Sequence, residues 1–245
     1  RCWLIVRPSP EPPAAAPVFV WVNASKIADC DSGSMPIPVS LTSKSKLGFR
    51  ARVSADVYAS VPSGFSFAVE LAGGRAVRVP LRHPDFAVDW DRVKAAFSAR
   101  TRLIIINSPH NPSGAVLTDA DLDALTDLLR CSRALVLSDE VYEHMLFDGR
   151  LHASMLTRAE LAARSFVVSS FGKTYHATGW KIGYCVAPPA LTAEFRKVHQ
   201  FVQFAVATPM QAGLAGFLVE CPQHSLDLPA FYQAKRDYFC RLLSD

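Results

Sequence analysis

No stretch of the 245-residue chain approaches the roughly 20 consecutive apolar residues that a membrane-spanning helix requires, so a membrane role is not expected. The six cysteines, Cys2, Cys30, Cys131, Cys185, Cys221 and Cys240, are scattered, with no CxxC pair and no histidine spacing that completes a zinc site. Free thiols in a reducing compartment follow, and no metal is expected. Lysine and arginine exceed aspartate and glutamate by 26 to 22, but the excess forms no long basic run and no interleaved aromatic pattern, which speaks against nucleic-acid binding. There is no GxSxG nucleophile elbow and no HExxH helix, so hydrolase and zinc-protease readings lack their central motifs. The opening stretch at 2–6 is shorter than the apolar region of a signal peptide, and the expectation is a cytoplasmic protein. What is present is ample core material: half the residues are hydrophobic, enough for one large α/β domain or a domain and part of a second.

Pro8, Pro10, Pro12, Pro13 and Pro17 crowd the start, and residues 40–45 are small and polar. Residues 1–60 are therefore expected to be poorly ordered, with a strand-like fragment at 18–22. From about residue 65 strand and helix signals alternate, which predicts an α/β fold with a mostly parallel sheet and flanking helices. A strand is expected at 76–80, then a helix at 89–99 carrying Trp90, Val93 and Phe97 on one face. Residues 102–106 form an apolar run, buried on both faces in a parallel sheet. The run ends at Asn107, where Ser108, Pro109, Asn111, Pro112 and Gly114 force a loop. Thr118 with Asp121 forms a capping-box variant opening a helix whose stripe is Leu122, Leu125, Leu128 and Leu129. Further strands are expected at 134–137 and 165–169, and a long helix at 228–243.

Open α/β sheets bind ligands at the carboxyl ends of their strands, and here successive strand ends deliver Asn111, Asp139, and Ser170 with Lys173. Lys173 follows a strand end in the run Ser170-Phe171-Gly172-Lys173-Thr174-Tyr175, well placed to form an imine with an aldehyde cofactor. The same run ends like a nucleotide phosphate loop, but the motif's first glycine falls on Val167, so that reading fails. Asp139 either keeps a pyridine nitrogen protonated or caps the turn after its strand. Tyr142 and Asn111 either donate to the cofactor's phenolic oxygen or serve as a packing residue and a turn residue before proline. Ser170 and Lys181 either hold a phosphate or are a strand end and a solvated neighbour of Trp180. A metal site from Asp139, Glu140 and His144 is conceivable, but the carboxylates have a better use. One site explains all these positions together, whereas the alternatives must hold separately at each.

Three blocks carry a resemblance: Asn107-Ser108-Pro109-His110-Asn111-Pro112-Ser113-Gly114, Ser138-Asp139-Glu140-Val141-Tyr142-Glu143-His144, and Ser169 through Tyr184 with Gly172-Lys173-Thr174-Tyr175-His176-Ala177-Thr178-Gly179-Trp180-Lys181 at its centre. In order and spacing they resemble class I pyridoxal-phosphate aminotransferases, nearest in wording to the methionine, kynurenine and glutamine subgroup. The resemblance implies a fold type I large domain, pyridoxal 5'-phosphate as cofactor, a homodimer, and transfer of an amino group from an amino acid to a 2-oxo acid. By position, Lys173 would be the catalytic lysine that binds the cofactor and moves the substrate proton. Asp139 would pair with the pyridine nitrogen, Asn111 and Tyr142 with the ring oxygen, and Ser170 and Lys181 with the phosphate.

The chain also departs from the family's pattern. No phosphate-binding loop of small residues precedes Ala72-Gly73-Gly74, since Gly33-Ser34 lacks the flanking pattern. Where a ring-stacking aromatic is expected stands Pro62, with Phe65 the nearest substitute. Residues 1–60 match nothing in the family, 61–227 correspond to an incomplete cofactor-binding large domain, and 228–245 to the start of the helix leading to a small domain. That domain would carry the arginine clamping the substrate carboxylate. Weak or absent transamination is therefore expected of this chain, and the alternative reading is a catalytically impaired remnant keeping only fold or cofactor binding.

Overall fold

The structure, a computed structural model, describes residues 2–8 and 63–244. The expected strand at 18–22, Gly33-Ser34 and Pro62 lie outside these residues. In chain order the described strands are β1 (Cys2–Pro8), β2 (Gly74–Pro80), β3 (Leu103–Asn107), β4 (Leu135–Asp139), β5 (Ser165–Ser170) and β6 (Gly183–Val186). They form one sheet in the order β2-β1-β3-β4-β5-β6. The helices are α1 (Ser63–Leu71), α2 (Trp90–Ala96), α3 (Asp119–Leu129), α4 (Ala159–Ala162), α5 (Phe171–Thr174), α6 (Pro189–Val202), α7 (Thr208–Glu220) and α8 (His224–Ser244). Among the described residues no helix is long and apolar enough to cross a membrane.

The α/β class stands, with a correction to the sheet. β3, β4 and β5 are parallel, but β1 runs antiparallel to both β2 and β3, and β6 antiparallel to β5. The sheet is mixed rather than mostly parallel. Between β5 and β6 the chain makes only a one-turn helix and a 3-10 turn (Thr178–Trp180), without the longer helix that usually carries a parallel crossover. β1, at residues 2–8, falls within the stretch expected to be poorly ordered, and it pairs with both β2 and β3.

β3 shows why the centre of the sheet holds. Its β-branched run suits the pleat, and Ile104, Ile105 and Ile106 are all buried. Ile104 and Ile106 pack with Val93 of α2 and with Leu122, Leu125 and Leu129 of α3, while Ile105 packs with Val69 of α1 and Ala76. Helices therefore cover both faces, as the continuous apolar run requires.

The helix boundaries follow local chemistry. Asp89 caps α2 by accepting from Arg92 N–H, and the helix stops at Ala96 because Phe97 turns extended with ψ 143°. It is thus shorter than the expected 89–99. α3 opens with both halves of the Thr118–Asp121 capping box formed. α8 starts at His224, ahead of the expected 228, because Leu226 and Asp227 N–H groups already find the Gln223 carbonyl. Pro229 sits inside the helix, where it withholds one backbone donor.

Candidate active site

The strand register brings the predicted residues toward one edge of the sheet. Asn107 of β3 lies opposite Asp139 of β4, and Asp139 lies opposite Val168 of β5. Ser108 N–H and Asn107 Nδ2 both donate to the Asp139 carbonyl, at 3.1 and 3.0 Å. Asn107 Oδ1 in turn accepts from Asn111 N–H at 2.9 Å, so one side chain fixes the loop that carries Asn111 against the end of β4. Both Ser108–Pro109 and Asn111–Pro112 peptide bonds in this loop are cis. Asn111 Nδ2 donates to Tyr142 Oη at 3.3 Å, and Lys173 Nζ stands 6.0 Å from the centroid of the Tyr142 ring. Asn111, Tyr142 and Lys173, read from three separate strand ends, thus converge.

Asp139 is the charged element of this edge. Burial is the main force on its carboxyl, pushing its pKa from 3.8 up to about 6; Val141 N–H, donating at 3.3 Å, works the other way, and the charge of Glu140 adds to the rise. A carboxylate so placed gains most from a cationic partner. A protonated pyridine nitrogen is such a partner, and the nearby amine of Lys173, the Asn111 amide and the Tyr142 hydroxyl are the donor set that a hydroxylated pyridine aldehyde requires. The residues present fit pyridoxal phosphate.

Ser170 and Lys181 are less tightly joined to the group. Ser170 caps α5, its hydroxyl accepting from Gly172 N–H at 3.0 Å and approaching the Ile182 carbonyl at 3.4 Å. Ser170 thus ends β5, as its alternative reading had it, and also caps the turn that follows, so a phosphate would compete for the same hydroxyl. Lys181 is exposed with a left-handed backbone (φ 54°), next to the Ile182 carbonyl that Ser170 reaches. Gly172 has a clear reason to be glycine: a Cβ there would meet Thr178 Cα at 2.9 Å, so only glycine lets the lysine turn close on the following 3-10 turn.

Beneath these residues lies a polar layer that the sequence did not reveal. Glu140, only 1% exposed, accepts from Ser138 Oγ at 2.8 Å, Met155 N–H at 3.1 Å and His152 Nε2 at 2.7 Å. Glu143 accepts from Ser169 Oγ at 2.8 Å and from Tyr184 Oη. Burial, followed by the charge of Glu143, raises the pKa of Tyr184. Ligand atoms of Glu140, Glu143 and His152 lie within 4.8 Å of one another, but the hydrogen bonds above already engage them. The trio that sequence spacing offered to a metal, Asp139, Glu140 and His144, is not the one gathered here. Asn107, Glu140, Glu143, His152 and Tyr184 were all missed as site residues. Asn107 stood at a predicted strand end, where a polar residue before a Ser-Pro turn was the available signal.

An α/β sheet that collects an amine, a partly buried carboxylate and an amide–phenol pair at its strand ends defines a cofactor-dependent enzyme core. The chain belongs to the aminotransferase class I and II family, whose model matches residues 57–245. Pyridoxal 5'-phosphate is the cofactor that goes with this family. Among relatives, methionine aminotransferase of Escherichia coli (strain K12) is 50% identical over 178 residues, covering 73% of this chain and 46% of the relative. Mouse kynurenine–oxoglutarate transaminase 3 is 35% identical over 195 residues, covering 72% of this chain and 42% of the relative. Among solved structures, that of YbdL from Escherichia coli, described as identifying a methionine aminotransferase function, superposes with a TM-score of 0.73 at 49% identity, over 76% of this chain and 49% of that one. The chain spans less than half the length of either of these two relatives.

Proposed function

We propose that this chain binds pyridoxal 5'-phosphate through Lys173 and serves an aminotransferase acting on methionine, glutamine, aromatic or kynurenine-like amino acids and a 2-oxo acid. The observation that carries the reading is the convergence of Lys173 Nζ, the Tyr142 ring and the Asn111 amide at the strand ends where Asp139 holds a partly buried carboxylate. The methionine and kynurenine relatives support the substrate class.

When bound, the cofactor supplies an aldehyde and an electron sink. Lys173 would anchor that aldehyde and, once released, move a proton at the substrate α-carbon. Asp139 would hold the pyridine nitrogen protonated, its own raised pKa relaxing beside the cation. Asn111 and Tyr142 would orient the ring through its oxygen, and Ser170 with Lys181 would bind the phosphate. A homodimer, which the family resemblance implies, and a cytoplasmic location belong to the same reading.

Titration of the purified chain with pyridoxal phosphate tests this reading. An absorption band at the edge of the visible that Lys173→Ala lacks is expected. No band in either protein overturns it and favours a remnant that keeps the fold alone.

A further inference from the structure

We propose that His152 is a positioning residue for the cofactor site, acting on Asp139 through the buried carboxylate of Glu140; the inference rests on the reading of Asp139 as partner of the cofactor ring. Glu140 is held from every side. Its backbone N–H donates to Val168 O of β5 at 2.8 Å, which continues the ladder one residue past Asp139. Its Oε1 takes Ser138 Oγ and Met155 N–H, and its Oε2 takes His152 Nε2 at 2.7 Å. Ser138 and Glu140 flank Asp139, so a single buried carboxylate ties together both of its neighbours. Any turn of the Glu140 side chain is passed to the peptide units that aim Asp139.

His152 comes from a separate loop, twelve residues on, and supplies the donor to Oε2. Its other ring nitrogen, Nδ1, is buried with no hydrogen-bond partner. Buried polar atoms are nearly always paired, so a ring kept here with one nitrogen unsatisfied points to the Nε2 bond as the reason for its presence. The charged or titratable groups packed about the Glu140–His152 pair are Asp139 and Glu143 on the same segment and Tyr184 of β6. The pair also reaches Asp139 through space, since the charge of Glu140 is one of the forces lifting the Asp139 pKa.

The test compares wild type, His152→Ala, His152→Gln, Glu140→Gln and the His152→Ala/Glu140→Gln double variant in two measurements. One is the pH titration of the Asp139 carboxyl carbon by NMR in the cofactor-free chain, and the other is the dissociation constant of pyridoxal phosphate. His152→Ala should displace the Asp139 midpoint by about half a pH unit or more and weaken cofactor binding roughly tenfold. His152→Gln, which retains an N–H donor, should restore most of both. In the Glu140→Gln background, loss of His152 should add nothing. A His152→Ala protein with the wild-type midpoint, or the same displacement in the Glu140→Gln background, overturns the proposal. Should His152→Ala fail to fold, nitrogen-labelled histidine in the wild-type chain gives the answer: the His152 Nε2 resonance must move as Asp139 titrates, and a stationary resonance overturns the coupling. A wild-type chain that shows this coupling but forms no band with pyridoxal phosphate would sink the proposed function, and with it the cofactor-positioning role, while leaving the coupling of His152 to Asp139 in place.

Discussion

The carboxylate of Asp139 accepts Val141 N–H at 3.3 Å, and burial pushes its pKa to about 6 from an ordinary 3.8. The unfolded chain releases this proton near 3.8 and the folded chain near 6, so between these values the folded state binds more protons. Stability from this group therefore falls as pH rises through the window, and above it the full penalty, on the order of 2–3 kcal/mol, is in force. Asp139→Asn keeps an acceptor for Val141 and removes the charge. In the cofactor-free protein it should raise the thermal midpoint at pH 7.5 and leave it unchanged near pH 3, while weakening pyridoxal phosphate binding. Paired melting curves decide the matter, and a midpoint at pH 7.5 no higher than wild type contradicts the assigned burial. Asp139 was legible in the sequence because it ends an apolar strand, where a carboxylate needs a reason. Glu140 is its neighbour, yet its burial depends on His152 and Met155, twelve and fifteen residues away, and no spacing rule connects them.

Elements were legible to the extent that their signals were local. The Thr118–Asp121 box is read from a four-residue window and forms as expected, and the Leu122, Leu125 and Leu129 stripe faces the core. Asp121 has a further role that no window shows: its Oδ1 accepts from Trp90 Nε1 at 2.8 Å, joining α2 to α3 across 31 residues of sequence. Because the two carboxylate oxygens serve different partners, the two residues of the box should not be equivalent. Thr118→Ala should cost about 1 kcal/mol, the usual effect of losing an N-cap. Asp121→Ala removes half of the box and also the acceptor that Asp121 offers Trp90 Nε1, for about 2 kcal/mol in all. Urea unfolding monitored by tryptophan fluorescence gives both values. A larger loss for Thr118→Ala than for Asp121→Ala would show that the Trp90 bond contributes nothing.

The whole sheet is less legible than its parts because strand order depends on pairing between distant segments. β3, β4 and β5 come from a regular alternation of strand and helix, and their parallel arrangement with polar residues at the carboxyl ends follows from that alternation. β1 does not. It arrives from the start of the chain and inserts between β2 and β3, with Cys2 opposite Pro80, Pro8 opposite Gly74, and Leu4 opposite Ile105. A strand in that position closes the open side of β3 and is the link between β2 and the rest of the sheet. Removing residues 1–8 would leave β2 without its strand neighbour and bare the backbone edge of β3 beside Ile104, Ile105 and Ile106, the kind of apolar edge that pairs with other molecules. The candidate site, built on the ends of β3, β4 and β5, would keep its own frame. A chain lacking residues 1–8 should therefore melt at lower temperature and scatter more light on standing, while its soluble fraction still forms the absorption band with pyridoxal phosphate if the full chain does. Melting and scattering indistinguishable from the full chain would mean that β1 is dispensable to the sheet. Loss of the band from a soluble, folded deletion variant would mean that β1 also supports the site.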